Sequence, residues 1–332
     1  MELFTLAFMQ RALLAALFTG LAAPAVGTYL VQRRLALMGD GIGHVAVTGV
    51  ALGLLTGTSP TWTAVVVAAL GAVVIEVIRE RGHTNGDVAL ALLFYGGLAG
   101  GVLLTGLAGQ SATRLQEYLF GSITTISATD VWVTIALAAV VVLICVGLAP
   151  QLFAVSQDQE FAKVAGLRVR TYNVLVAVLA AVSVTVAMRT VGLLLVSALM
   201  VVPVATAQQV TRSFRSTLAT AMGLGVVASL GGLVISAFAS FHARVAPGPT
   251  IVLLALAGFS LAWPLGVFLR SRQRLRAPFP AIGPDEHEIA CDTHPHEHGP
   301  DCGHVAVRHG DHVDYVHDGH RHAPHGKHYD EH

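Results

Sequence analysis

Charge is what this chain has least of. Acidic and basic residues make up 12% of its 332 residues, where a soluble domain carries about 25%, so an ordinary water-soluble globule is excluded. Lysine occurs only at Lys163 and Lys327. Neither completes G-x-x-x-x-G-K-[ST], so a standard phosphate-binding loop is missing. The three cysteines are Cys145, inside an apolar run, and Cys291 and Cys302 near the C-terminal end, which rules out a disulfide framework. An H-E-x-x-H helix is also missing, and with it the usual mark of an intramembrane metalloenzyme. The apolar start from Leu3 to Val31 contains Arg11 and lacks a convincing A-x-A cleavage site, so it reads as a retained membrane segment and not a signal peptide.

What is present is mostly apolar. Runs near 7–31, 41–57, 61–78, 87–108, 131–149, 172–188, 190–209, 217–240 and 249–269 have the length of about 17 to 25 residues that a membrane-crossing helix needs. They are continuous, not alternating in ten-residue units, which excludes an outer-membrane barrel. The expected fold is an all-α polytopic membrane protein of eight to nine transmembrane helices, the sixth and seventh being divided only by a short interval at Arg189. Basic residues collect in every second gap: Arg33 and Arg34; Arg79 and Arg81; Lys163, Arg168 and Arg170; Arg212 and Arg215; Arg270 to Arg276. Short basic loops stay cytoplasmic, so nine spans place the N-terminus outside and the tail inside. Arg189 and Arg244 fall singly on the outer side.

Two parts are expected: a transmembrane domain over 1–276 and a cytoplasmic tail over 277–332. The overall charge balance hides this division. From Ala281 onward there are 3 basic and 11 acidic residues, against 17 and 9 before it, and 13 of the 16 histidines lie there. Within the body, glycine groups such as Gly96, Gly97, Gly100 and Gly101 read as close helix-packing surfaces. Pro24, Pro203 and Pro264 interrupt apolar runs, and Pro203 is expected to break its segment into two pieces too short to span alone.

One pair of residues is out of place in such a sequence. Asp40 and His44 lie in the second apolar run, and His44 is ten residues beyond Arg34. At about 1.5 Å per residue this reaches roughly the middle of the bilayer. Positions i and i+4 share a helix face, so a carboxylate oxygen and an imidazole nitrogen can approach one small cation, with Gly41 and Gly43 leaving room. Such a pair can also bond to itself or to a neighbouring helix and merely fix packing. Charged groups at that depth cost about 2.5–3.5 kcal/mol or more, however, which favours a cation pathway. Imidazole with carboxylate suits zinc, manganese or ferrous iron, and two ligands cannot close a structural zinc site.

Other polar groups carry less. Glu76 and Asp87 sit near inner span ends, where water or neighbouring arginines can satisfy them. Glu117 and Asp130 flank an outer stretch that can line an entry funnel, and His242 reads as a solvated loop residue. The loop from Ser156 to Leu167 has the composition of a short amphipathic helix ended by glycine. Its apolar side of Phe161, Val164, Ala165 and Leu167 suits a docking knob for a soluble partner, or else an interfacial helix on lipid.

Several stretches together resemble the membrane permease subunits of bacterial ABC importers for zinc, manganese and iron, most of all the zinc-uptake permease. They are Leu37 to His44 with Gly49 to Gly53, Tyr118 to Ser122, Glu160 to Gly166, Val191 to Ala207, and Pro247 to Val252. The resemblance covers the body to about Arg276. It departs at Gly43, where the family commonly has serine, and at Thr48, where it commonly has proline. It implies that Asp40 and His44 lie on the metal pathway. It also implies that Glu160, Phe161, Ala162, Val164, Ala165 and Gly166 belong to a coupling helix touching an ATPase subunit. The implied assembly is a permease homodimer in the bacterial cytoplasmic membrane, with an ABC ATPase and an extracytoplasmic metal-binding protein. Zinc is the expected substrate, moved by alternating access. Manganese or iron is the alternative, and a proton-coupled secondary carrier using Asp40 and His44 as a relay is a more distant one. Besides the lipid, no nucleic-acid partner and no permanently bound cofactor are expected.

The tail reads as a disordered histidine-rich segment with several weak zinc sites. Its candidate ligands are His294, His296, His298, Cys302, His304, His317, His320, His322, His325 and His328, among acidic neighbours. The irregular spacing argues against one preformed finger, and a solvating tail without a role is the plainer alternative.

Overall fold

A computed structural model describes residues 6–81, 86–109, 126–188, 192–241, 245–276, 288–289, 298–309, 312–317, 320–325 and 328–331. The chain divides into two compact units, Met1–Leu269 and Arg270–His332.

The first unit is helical, in the order α1 (Ala7–Gln32), α2 (Met38–Thr56), α3 (Pro60–Glu80), α4 (Gly86–Leu107), α5 (Ala128–Gly147), α6 (Ala149–Gln157), α7 (Gln159–Val164), α8 (Val169–Met188), α9 (Leu193–Val210), α10 (Phe214–Ala239) and α11 (Pro247–Arg276). Eight of these are long and apolar enough to cross a membrane, and α9 is a shorter apolar helix. α1, α2 and α8 form the interior of the bundle, while α3, α4 and α11 keep most of their surface outward. The outward faces are apolar, as lipid requires. In α3, Ala64, Ala68 and Ala72 are buried, while Trp62, Val66, Leu70 and Val74 are exposed. Small residues at four-residue spacing thus form the packing seam, and large ones face the lipid. In the core, Tyr29 Oη of α1 donates to the Cys145 carbonyl of α5 at 2.6 Å, which satisfies a polar group that has no water nearby.

One feature of this unit differs from what the sequence suggests. Pro203 lies inside α9, which runs unbroken over 18 residues from a cap at Gly192, so the expected division into two pieces does not occur. A proline removes one hydrogen bond and crowds one carbonyl. The helix nevertheless continues on both sides of Pro203, and the Thr206 hydroxyl donates to the Val202 carbonyl at 2.7 Å. Asp130 closes the capping box of α5: its carboxylate accepts from Ser127 N at 3.1 Å and Ser127 Oγ at 2.6 Å. Glu117, Arg189, His242, Arg244 and the Tyr118 to Ser122 stretch lie outside the described residues, as does the side chain of Asp87.

In the second unit the described residues include a sheet. Five strands, β1 (Glu288–Ile289), β2 (Val305–His309), β3 (His312–His317), β4 (His320–His325) and β5 (His328–Glu331), are ordered β1-β5-β4-β3-β2 and are antiparallel throughout. The register pairs His309 with His312, His317 with His320, and His325 with His328. In the sequence the dipeptides Gly310-Asp311, Asp318-Gly319 and Gly326-Lys327 separate these strands, and two-residue hairpins favour that composition.

α2 is held against α4 at a point with no spare room. A β-carbon added at Gly97 would lie 2.6 Å from the His44 carbonyl carbon and the Val45 nitrogen, while one at the adjacent Gly96 would meet nothing within 4 Å. Overpacking costs about 1–3 kcal/mol. Gly97→Ala is therefore expected to lower the thermal midpoint of the purified protein in detergent by several degrees, and Gly96→Ala to leave it unchanged or higher. Equal midpoints for the two variants would contradict this packing.

Candidate metal pathway

α2 starts just beyond the basic turn at Arg33 and Arg34, with Leu37 as its N-terminal cap. Asp40 lies in its first turn, where the helix N-terminus favours a negative charge. His44 follows one turn later and is buried, with 5% of its surface exposed, while Asp40 is half-buried. The glycines between and beside them let neighbouring helices come close. α9 approaches Gly39 through Met200 and Ser197, α4 approaches Gly41 through Leu93, and Leu193 covers Gly43.

This packing brings a third polar group to the pair. Ser197 Oγ of α9 donates to Asp40 Oδ1 at 3.3 Å. On the other side, the His44 ring meets Phe94 of α4 edge-on at 4.2 Å between centroids. His44 Nδ1 is enclosed and has no hydrogen-bond partner among the described residues. Thr48, one further turn along α2, donates to the Gly97 carbonyl at 2.6 Å and so fixes α2 against α4. The set therefore offers a carboxylate, a hydroxyl and an imidazole from two helices. These donors suit a divalent transition metal on the hard side of the series.

Ser197 falls within the Val191 to Ala207 stretch, but nothing in the sequence separates it from an ordinary packing serine. Phe94 has no sequence signal at all. Both become site residues only because α9 and α4 flank α2.

Toward the basic loops the chemistry changes. Glu76 of α3 is 2% exposed and pairs through Oε1 with Arg33 at 3.0 Å and Arg79 at 2.8 Å, as expected of neighbouring arginines, while its Oε2 has no hydrogen-bond partner among the described residues. Burial pushes the Arg33 guanidinium down from its ordinary value, and the Glu76 carboxylate opposes that shift. Arg33 nevertheless stays charged, because arginine titrates far above neutrality. Next to this group lies an open cavity of about 950 Å³ whose lining includes Arg34, Glu80, Lys163, Arg168 and Arg170. Arg170 pairs with Glu80 across it at 3.1 Å.

The predicted coupling loop lies beside this cavity as α7. Asp158 caps it, accepting from the backbone nitrogens of Glu160 and Phe161 at 2.9 and 3.0 Å. Lys163 bonds Glu160 at 2.7 Å along its surface. Ala162 is the residue that packs inward, against Val155 and Val169, with Leu167 beside them. Phe161 and Val164 are 66% and 88% exposed, and Ala165 and Gly166 end the turn. The helix therefore presents a large apolar pair outward and uses its smallest residue as the anchor.

In the second unit, His298, Cys302 and His304 come together, with His322 stacked on His298. His294 and His296 lie outside the described residues, and only the backbone is described for His317, His320, His325 and His328.

Comparison with known proteins agrees with this architecture. The chain is 34% identical over 267 residues to the manganese import system permease protein ScaB of Streptococcus parasanguinis, covering 80% of this chain and 92% of that protein. It is 32% identical over 263 residues to the manganese transport system membrane protein MntC of Halalkalibacterium halodurans, covering 79% and 88%. Its fold matches the solved structure of PsaBC from Streptococcus pneumoniae in complex with Fab at a TM-score of 0.72 and 33% identity, over 81% of this chain and 97% of that one. The model of the ABC 3 transport family matches residues 5–264. The chain thus belongs to the ABC 3 transport family, as a multi-pass membrane permease subunit for metal ions.

Proposed function

We propose that this chain is the permease of an ATP-driven importer for manganese. The observation that carries this reading is the donor set at Asp40, His44 and Ser197. Carboxylate and hydroxyl oxygens with a single imidazole, and no thiolate, suit Mn²⁺ better than they suit zinc. The relatives named for manganese point the same way and move the expected substrate away from zinc. Affinity alone would favour zinc over manganese at almost any site. Selection must therefore come from an oxygen-rich passage that holds the ion briefly, and from whatever delivers the ion.

In this reading the ion enters from the outer side and exchanges water for Asp40 and His44. It leaves toward the basic, cytoplasmic side when the bundle switches. Ser197 holds Asp40 between ions and gives it up to a cation. The energy comes from an ABC ATPase docked on α7, whose exposed Phe161 and Val164 fit an apolar socket. An extracytoplasmic metal-binding protein supplies the ion, two permeases form the working unit, and the tail lies in the cytoplasm. Transport by the permease without an ATPase would instead favour a proton-coupled carrier.

In cells lacking the native chain, Asp40→Asn and His44→Ala are each expected to reduce Mn²⁺ uptake roughly tenfold or more at equal membrane abundance, about 1.4 kcal/mol of lost stabilisation. Ser197→Ala should cost less, since it leaves both ligands in place. The uptake assay should follow manganese, zinc and iron together; uptake of zinc alone would overturn the choice of metal, and normal uptake by both ligand variants would remove the pair from the mechanism.

For the docking surface, Phe161→Ala combined with Val164→Asp is expected to abolish ATP-dependent uptake while Mn²⁺ still binds the purified permease. Full uptake by the double variant would show that α7 does not carry the coupling.

A further inference from the structure

The second unit contains a cluster that the transport reading does not use. His298, Cys302 and His304 have ligand atoms that all lie within 4.8 Å of one another. The local sequence brings them together. It reads His298-Gly299-Pro300-Asp301-Cys302-Gly303-His304, and Cys302 N donates to the Gly299 carbonyl at 3.1 Å. This closes a four-residue turn with Pro300 at its second position, where the fixed φ of proline favours the turn. The turn folds Cys302 back toward His298, leaving Sγ 3.8 Å from Nδ1. Gly303 then takes φ +77°, a conformation glycine adopts without strain, and His304 follows immediately before β2.

The sheet supplies the wall. Tyr315 of β3 and His322 of β4 are register partners, so they are neighbours on one face. His298 stacks against both, at 5.6 Å from Tyr315 and 5.4 Å from His322, and its ring lies 5.1 Å from that of His304. His298 and His322 are buried and Cys302 is partly exposed, so a small ion can reach the thiol while the imidazoles are held in place.

We propose that His298, Cys302 and His304 form one defined metal centre for zinc or a similarly soft divalent ion, with His322 beside its remaining position. This replaces several weak sites with one site of two nitrogens and a sulfur, and it differs in kind from the pathway. A thiolate with imidazoles selects zinc or cobalt and disfavours manganese, whereas the pathway donors are mostly oxygen. The centre therefore reads a metal other than the one transported. Because it links the turn to β2 and to the wall formed by β3 and β4, its occupancy stabilises the small sheet.

The test uses the full-length chain purified in detergent under a reducing agent, carrying Asp40→Asn and His44→Ala so that the pathway contributes no binding. Cobalt(II) is the probe. The expected result is one equivalent bound per chain, with an intense near-ultraviolet thiolate-to-cobalt band that zinc abolishes and a large excess of Mn²⁺ does not. Cys302→Ser should eliminate the band, and His298→Ala and His304→Ala should each weaken binding at least tenfold. Circular dichroism of each variant against the parent checks that the fold is kept. Binding without the band, a band that survives Cys302→Ser, or several equivalents of equal weak affinity would overturn the proposal. None of these results depends on whether the body transports manganese.

Discussion

The structure depends on one constraint: an acid and an imidazole lie one turn apart on a single apolar helix, α2, and the helices packed around it hold them there. An ionisable group within a membrane-crossing helix is costly, so the helices that surround it must supply polar partners without admitting lipid. α9 does this on one side through Ser197, which bonds Asp40. α4 packs on the other side through Phe94 against the His44 ring and Gly97 against its backbone, and His44 Nδ1 has no hydrogen-bond partner among the described residues. The small residues of α2 and α4 let these helices pack at backbone distance.

A second electrostatic element stands at the basic end of the same bundle. Glu76 joins the end of α1, through Arg33, to the end of α3, through Arg79. Buried pairs of this kind contribute little net stability but cost about 3–5 kcal/mol when one partner is removed, so the linkage fixes geometry more than it adds energy. It lies beside the cavity that α7 borders. α1 in turn lies against α9 and α10. That gives the coupling proposal a physical path, from an exposed apolar pair to the helix that carries Ser197.

Much of this was legible in the sequence. Continuous apolar runs fix helices by length, and basic gaps fix their alternation. Asp40 and His44 stand out because ionisable residues are rare in such runs. Gly166 marked the end of the turn that follows α7. The partners of the pair could not be read, because Ser197 and Phe94 meet α2 only through tertiary packing, and serine and phenylalanine are ordinary residues in apolar helices. Pro203 misled because one missing hydrogen bond does not end a helix whose flanking turns remain bonded. The strands in the tail were not read from its composition, although the dipeptides Gly310-Asp311 and Asp318-Gly319 between them are hairpin signals. The choice of metal could not be settled by resemblance alone, because zinc, manganese and iron permeases share the same helical framework.

Two metal chemistries are thus proposed for one chain, an oxygen-rich passage in the body and a sulfur-containing cluster in the tail. The central claim concerns the first. Pulsed electron paramagnetic resonance of Mn²⁺ bound to the assembled transporter tests it most directly, because a coordinated imidazole nitrogen modulates the electron spin echo of manganese. The account predicts a histidine nitrogen coupling that disappears in His44→Ala and persists in variants of the tail histidines. Manganese coordinated without nitrogen, or a coupling that His44→Ala leaves unchanged, would contradict it.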